Sequence, residues 1–488
     1  MTKILLGVVG GILFQTALSA QTPHTIRCGV PQMHNAIIAM HPEYAQKLAD
    51  QKASLQAIAD FYKLYKTQAG NERTTTVSAV PVIFHIIVDS AQFNDLGGTV
   101  GIGKRCDSQI AVLNRDYNRQ NADSSVIPSG WKSLYGNAGI TFGLARKDPS
   151  GNCSPGYEIK IISGSTLSDA GYDGNDNFTS TKTAATGLAP WDNTKYYNVW
   201  CTNFTGGSIG LLGITVCKSD VVGGWNASYE MGVVMLYNVL GSTGPTNIAP
   251  AGTGNWYIPF NLGRTLTHET GHFFEIWHPS GDDGSLCPWS SGGSDDGLSD
   301  TPPQGDYTYN NPTYTISGGT IHDGCEFHSS VETQPIGIAC LAYMDYVDDD
   351  AMHLFTTMEA AVMAGMATLP PGSGGITSGT GTIGESYNLT QNPSLLIPCP
   401  TGVASTIETR SSLSVYPNPT TGEINISVNQ TTEKLIDIVV LNMVGQQVKV
   451  VNGGKEYYSI DLSGMSKGIY FVKCNFASGS VIRKILLQ

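Results

Sequence analysis

His268-Glu269-Thr270-Gly271-His272-Phe273-Phe274-Glu275-Ile276-Trp277-His278 is the stretch on which the reading of this chain turns. His268 and His272 stand at i and i+4, so on a helix both imidazoles leave one face a single turn apart. That spacing suits two neighbouring corners of a tetrahedral zinc ion, for which neutral imidazole nitrogen is a favoured ligand. Glu269 sits beside the first histidine, where it can lean over a water in an open coordination position and take its proton as general base. His278 comes too late for the same helical face, and joins the pair only if the helix stops and the chain turns back. The expectation is zinc held by His268, His272 and His278, with Glu269 catalytic. The competing third ligand is a glutamate on a later helix, with Glu359 the candidate.

Further along, Ala342-Tyr343-Met344-Asp345-Tyr346 combines a methionine with a tyrosine two positions later, the pattern of a Met-turn. With Val80-Pro81-Val82-Ile83-Phe84-His85, Ile140-Thr141-Phe142 and Asp300-Thr301-Pro302-Pro303-Gln304, these motifs resemble the pappalysin/cytophagalysin family of metzincin metalloproteases over residues 28–366. The resemblance implies an α+β catalytic domain, with a twisted upper sheet and two long helices over an irregular lower half, that hydrolyses peptide bonds in proteins. It makes Met344 the floor of the zinc site and Tyr346 a catalytic residue that stabilises the tetrahedral intermediate. It also puts Asp350 in the pocket for the residue after the scissile bond, where a carboxylate favours Arg or Lys.

Two departures stand out. The family has Gly where Glu275 stands, because a tight turn there favours positive φ. Glu275 is therefore expected either in a left-handed conformation or at a helix that ends differently. It also opens a second reading, a catalytically impaired protein that holds zinc and serves in binding or adhesion. A cysteine common after the family's Met-turn is absent, since Ala351 follows Asp350. One family disulfide is thus expected to be missing or rearranged.

Arg27-Cys28-Gly29-Val30-Pro31 looks like the cysteine switch of metzincin zymogens. A Cys28 thiolate would be a zinc ligand in the latent form only, displacing the catalytic water. Tyr44, Leu48, Leu55, Ile58, Phe61 and Leu64 then recur at helical spacing, and a polar run at 67–75 follows. Self-cleavage is expected there, at Glu72-Arg73. Asp282, Asp283, Asp295, Asp296, Asp300 and Asp306 lie in Gly- and Ser-rich loops, which suits structural calcium.

The surrounding chain fits an exported protein. Lys3, an apolar run to Phe14 and Ala17-Leu18-Ser19-Ala20 read as a signal peptide, too short to span a bilayer. Ten cysteines suit an oxidising compartment, with Cys201/Cys217 and Cys287/Cys325 as plausible local bridges. The net charge of −13 argues against nucleic acid as a partner, and no stretch is long and apolar enough for a membrane span. Expected boundaries are a signal peptide at 1–20, a prosegment at 21–73, the catalytic domain at 74–369, a Gly-, Ser- and Pro-rich linker at 370–412 and an all-β sandwich at 413–488. The last begins Ser414-Val415-Tyr416-Pro417-Asn418-Pro419 and resembles the C-terminal sorting domain of type IX secretion. The type IX machinery is therefore an expected partner beside protein substrates, and the expected location is the cell surface or the medium.

Overall fold

The computed structural model describes residues 26–68, 79–163, 180–204, 210–218, 220, 231–243, 258–282, 295–310, 312, 336–368, 376–378, 381–383, 387, 389–398, 412–429, 435–442, 446–455, 457–476 and 479–488. It divides into two compact units, Met1–Pro398 and Cys399–Gln488. The expected signal peptide, the Glu72-Arg73 cut, Asp283 and the Cys287/Cys325 pair lie outside the described residues.

The first unit opens with β1 (Ile26–Cys28), α1 (Val30–Met40) and α2 (Tyr44–Gln68). Tyr44, Leu48, Leu55 and Ile58 are the buried stripe of α2, as their spacing implies. Then come β2 (Ala79–Val88), α3 (Ser90–Asp95), α4 (Gly98–Tyr117) and the short α5 (Ser129–Lys132). Strands β3 (Thr141–Leu144), β4 (Tyr157–Ile161), β5 (Tyr197–Thr202), β6 (Leu211–Val216) and β7 (Gly232–Leu236) follow. Helices α6 (Arg264–Phe273) and α7 (Thr357–Thr368) and the hairpin β8 (Ile376–Ser378) and β9 (Gly381–Ile383) complete the set.

Seven strands form one sheet in the order β1-β6-β7-β5-β2-β3, with β4 sharing the β3 edge of β2. Pairing is parallel except between β6 and β7. Every residue of β2 is buried, which is why it reads as a nearly unbroken apolar run. Pro81 is tolerated because pairing with β5 begins only at Val82. Helix α4 begins in a glycine-rich stretch of poor helix propensity. Burial of Gly101 and Ile102 overrides that propensity. Phe84 and Ile86 of β2, Ile102 and Leu113 of α4, and Leu266 and Phe273 of α6 share one core.

The stretch expected as a linker is partly structural. Tyr387, Leu389 and Thr390 are buried, and Arg146 N donates to Leu395 O at 2.7 Å. Residue 387 and residues 389–398 thus form a strap on the first unit, because a few apolar side chains suffice to anchor a chain of otherwise linker-like composition.

The second unit has strands β10 (Ser412–Tyr416), β11 (Glu423–Asn429), β12 (Leu435–Asn442), β13 (Gln447–Asn452), β14 (Tyr457–Asp461), β15 (Gly468–Phe476) and β16 (Gly479–Leu487). They make two antiparallel sheets, β10-β11-β14 and β13-β12-β15-β16. Ile424, Ile426 and Ile460 of one meet Ile438, Val440, Val472 and Ile485 of the other in a shared core, the expected sandwich. No helix among the described residues is long and apolar enough to cross a membrane.

Candidate active site

Helix α6 is buried from end to end, and its close is what assembles the site. Phe274 caps it, Glu275 N donates to His272 O at 2.8 Å, and Ile276 N donates to Gly271 O at 3.0 Å. Those two bonds form a Schellman motif, whose turning residue is left-handed and usually glycine. Glu275 occupies it with φ of 73°. The left-handed alternative is therefore the one adopted, at a cost of about 1–2 kcal/mol for a residue with a Cβ. Buried hydrogen bonds to the carboxylate offset this: Gln51 of α2, the Cys217 thiol at 3.3 Å and the Tyr387 hydroxyl at 3.0 Å all donate to it. The turn sends His278 back to the helical pair.

The three imidazoles converge. Their Nε2 atoms lie 3.2 Å (His268 and His272), 3.1 Å (His268 and His278) and 3.0 Å (His272 and His278) apart. Each Nδ1 faces an oxygen acceptor: Tyr343 O at 2.7 Å for His268, Ile276 O at 2.6 Å for His272, and the Asp282 carboxylate for His278. An acceptor at Nδ1 fixes the proton there and leaves Nε2 bare. Three bare lone pairs this close repel one another unless a cation lies between them, so the donor set fits a metal. Burial and the neighbouring rings hold His268 neutral and push His272 down to about 3. Burial opposes the charge on Asp282, but His278 outweighs it and holds that carboxyl at about 2.

The Cys28 sulfur completes the cluster, with all four ligand atoms within 4.8 Å of one another. It is the only such cluster among the described residues. Strand β1 brings the thiol there by pairing Cys28 with Gly213 of β6. Glu269 is fully buried, and burial pushes its carboxyl up to about 8. Its Oε2 accepts from the Thr215 hydroxyl at 2.6 Å and faces Cys28 Sγ at 3.7 Å. Met344 lies directly under the helix, where a Cβ added at Gly271 would collide with its sulfur. The Tyr346 hydroxyl donates to Cys28 O at 2.9 Å, and its ring stacks on Tyr307 at 4.0 Å. Glu359, the competing third ligand, instead accepts from Thr356 N at the start of α7.

Known proteins resemble this chain in structure and in sequence. Over 69% of this chain and 92% of the other, the structure resembles a promirolysin variant of Tannerella forsythia, with 27% identity and a TM-score of 0.51. An extracellular metalloprotease of Podospora anserina is 24% identical over 360 residues, 72% of this chain and 93% of that one. One from Colletotrichum graminicola is 31% identical over 147 residues, 30% of this chain and 41% of its own length. Residues 414–488 match the secretion system C-terminal sorting domain. The chain is a secreted metalloprotease. Its sorting domain marks it for type IX export through the outer membrane.

The N-terminal segment grips the protease at two further places. Arg27, 1% exposed, donates to Asp349 Oδ1 at 2.6 Å and to Val347 O at 2.8 Å. Asp349 is fully buried, and its other oxygen accepts from Leu262 N at 2.8 Å. Asp350, expected to line the pocket, is exposed. The carboxylate that meets an arginine is its neighbour, because the helical turn at Asp349–Ala351 points Asp349 inward. Second, His34 and Tyr44 both bond Asp220 Oδ1, at 3.1 and 2.7 Å. Burial alone would lower the His34 pKa, but Asp220 outweighs it and the net shift is upward. Burial likewise opposes the Asp220 charge, and His34 outweighs it, so that pKa falls. The His34 contribution is full below its unfolded value of about 6.5 and is lost as pH rises through the folded value. The Asp220 contribution is full above about 4 and is lost as pH falls. Docking of the segment is therefore expected to weaken on the alkaline side of neutrality. Tryptophan fluorescence on urea titration, reporting Trp277 beside His34, should give a lower midpoint at alkaline than at mildly acidic pH. His34→Gln should remove that difference.

The six loop aspartates have mostly found other work. Asp282 holds His278, Asp295 pairs with Lys52 at 3.3 Å, and Asp300 accepts from Met358 N at 2.8 Å. Asp306 accepts from Tyr307 N at 2.7 Å. Asp296 differs: it is fully buried, and its Oδ2 has no hydrogen-bond partner among the described residues. Glu359 Oε1 is in the same position, and burial pushes both carboxyls up, Asp296 further by the nearby Glu359 charge. The Cys201/Cys217 bridge is not formed; both are buried thiols, Cys201 on β5 and Cys217 just past β6, with β7 between those strands.

Proposed function

We propose that the protein is a zinc endopeptidase of the pappalysin type, made latent by residues 21–73 with Cys28 as the fourth ligand. The observation that carries this is the convergence of three bare Nε2 atoms and the Cys28 sulfur on one point. Zinc held there by His268, His272 and His278 would supply a Lewis acid for the scissile carbonyl once the thiol has left. Glu269 takes the proton of the attacking water and returns it to the leaving amine. Tyr346 donates to the carbonyl oxygen as it gains charge, from the position in which it now donates to Cys28 O. Asp349 selects Arg or Lys after the scissile bond, with Arg27 occupying that place in the latent chain. The uncompensated carboxylates of Asp296 and Glu359 favour a calcium ion between the loop and α7.

A zinc-holding binding or adhesion protein was the other reading that Glu275 allowed. The Schellman turn argues against it, since Glu275 adopts the glycine-like conformation and His278 reaches the cluster. The test incubates the full-length precursor with zinc and calcium, trims it with trypsin, and reads a mixed peptide library by mass spectrometry. Cuts before Arg or Lys from the trimmed protein, and from untrimmed Cys28→Ala but not untrimmed wild type, are the expected result. Zinc-loaded, trimmed protein that cleaves nothing would leave the binding protein standing.

A further inference from the structure

Strand β6 presents Gly213 and Thr215 to the same face, two residues apart in the pleat. Both meet Glu269. A Cβ built on Gly213 would lie 2.6 Å from Glu269 Oε1, 2.7 Å from Cγ and 2.8 Å from Cδ, so the carboxylate rests flat on bare backbone. Thr215 Oγ1 lies 2.6 Å from Glu269 Oε2 and 2.9 Å from Glu269 O. Glu269 Oε1 has no partner among the described residues. The side chain is thus held at Oε2, the oxygen that faces Cys28 Sγ, and a second lone pair on that oxygen is left for the attacking water.

We infer that Thr215 is a positioning residue for the base, with Gly213 as the surface against which it holds Glu269. A hydroxyl has one hydrogen to give and two lone pairs to accept with. While Glu269 is ionised, Thr215 donates to Oε2. Once Oε2 carries the proton taken from water, on the lone pair turned away from Thr215, it is a poorer acceptor, and Thr215 can turn its hydrogen to the Glu269 carbonyl, 2.9 Å away. The same atom therefore fits both halves of the proton's passage from water to leaving amine, and the carboxyl need not swing between them. Valine has nearly the shape of threonine and neither capacity. Serine keeps both.

The inference rests on Glu269 being the base, so Glu269→Gln is measured beside the Thr215 variants. The full chain, after prosegment removal, is assayed as wild type, Thr215→Val, Thr215→Ser and Gly213→Ala, each with zinc content and melting temperature. Thr215→Val is expected to lower kcat by about tenfold to a hundredfold, a share of the 10²–10⁴ that acid–base catalysis supplies, with KM and zinc content unchanged. Thr215→Ser should recover most of that loss. Gly213→Ala should lower kcat as the new methyl displaces the carboxylate. Calorimetric binding of a peptide hydroxamate, whose hydroxyl needs the same carboxylate, should weaken in Thr215→Val and recover in Thr215→Ser. An inactive Glu269→Gln beside a fully active Thr215→Val would overturn the inference alone. So would equal losses in valine and serine, or a valine variant that sheds its zinc, since both describe a merely structural residue. An active Glu269→Gln would remove the base itself.

Discussion

Glu269→Gln is expected to abolish peptide hydrolysis while leaving the metal in place. Glutamine keeps the shape and one oxygen of the side chain but cannot take a proton, so kcat should fall by about 10²–10⁴. The three ligand nitrogens are oriented by Tyr343 O, Ile276 O and Asp282, none of which the substitution touches. Zinc analysis and turnover on one preparation, freed of the N-terminal segment, check the two halves of the statement. Retained turnover would mean that another group activates the water. Loss of zinc together with turnover would mean that Glu269 is chiefly structural.

Arg27→Ala should open the latent form. The Arg27–Asp349 pair is almost completely buried, and removing one partner of such a pair costs about 3–5 kcal/mol, since the other charge is left uncompensated. Holding of the segment over the cleft should weaken by about 10²–10³. The precursor is then expected to process itself faster and to hydrolyse peptide before any cut is visible on a gel. Arg27→Lys should fall between, because lysine keeps the charge but loses the planar fork that reaches both Asp349 and Val347 O. Precursor that stays as silent as wild type would show that the Cys28 sulfur alone sets latency.

How much of this was open to a reader of the sequence depends on whether the signal was local. Spacing placed His268 and His272, and the glycine preference of a helix end singled out Glu275, because both are properties of a few consecutive residues. The tail strands were equally legible: Leu435-Ile436-Asp437-Ile438-Val439-Val440-Leu441-Asn442 is rich in β-branched residues, and β12 is Leu435–Asn442. By contrast, β10 begins on the last residue of the expected linker, since Ser412-Leu413-Ser414 carries little apolar alternation. Thr215 was invisible because its partner is fifty-four residues away, across a strand-to-helix contact. Asp349 and Asp350 are chemically alike, and only the direction of a short helical turn tells them apart. The three anchors that offset the strain at Glu275, Gln51, Cys217 and Tyr387, come from distant parts of the chain and share no motif.

Pairing of β1 with β6 has a consequence beyond catalysis. When β1 departs, β6 becomes the outermost strand of a seven-stranded sheet reduced to six. An outermost strand offers a row of unsatisfied N–H and C=O groups on which any extended polypeptide can add, including another copy in the act of folding. A chain bound for export must cross crowded compartments before it meets its targets. Were the segment cut away after export, that cover would last through the transit, and the bared β6 would then be open to an extended polypeptide.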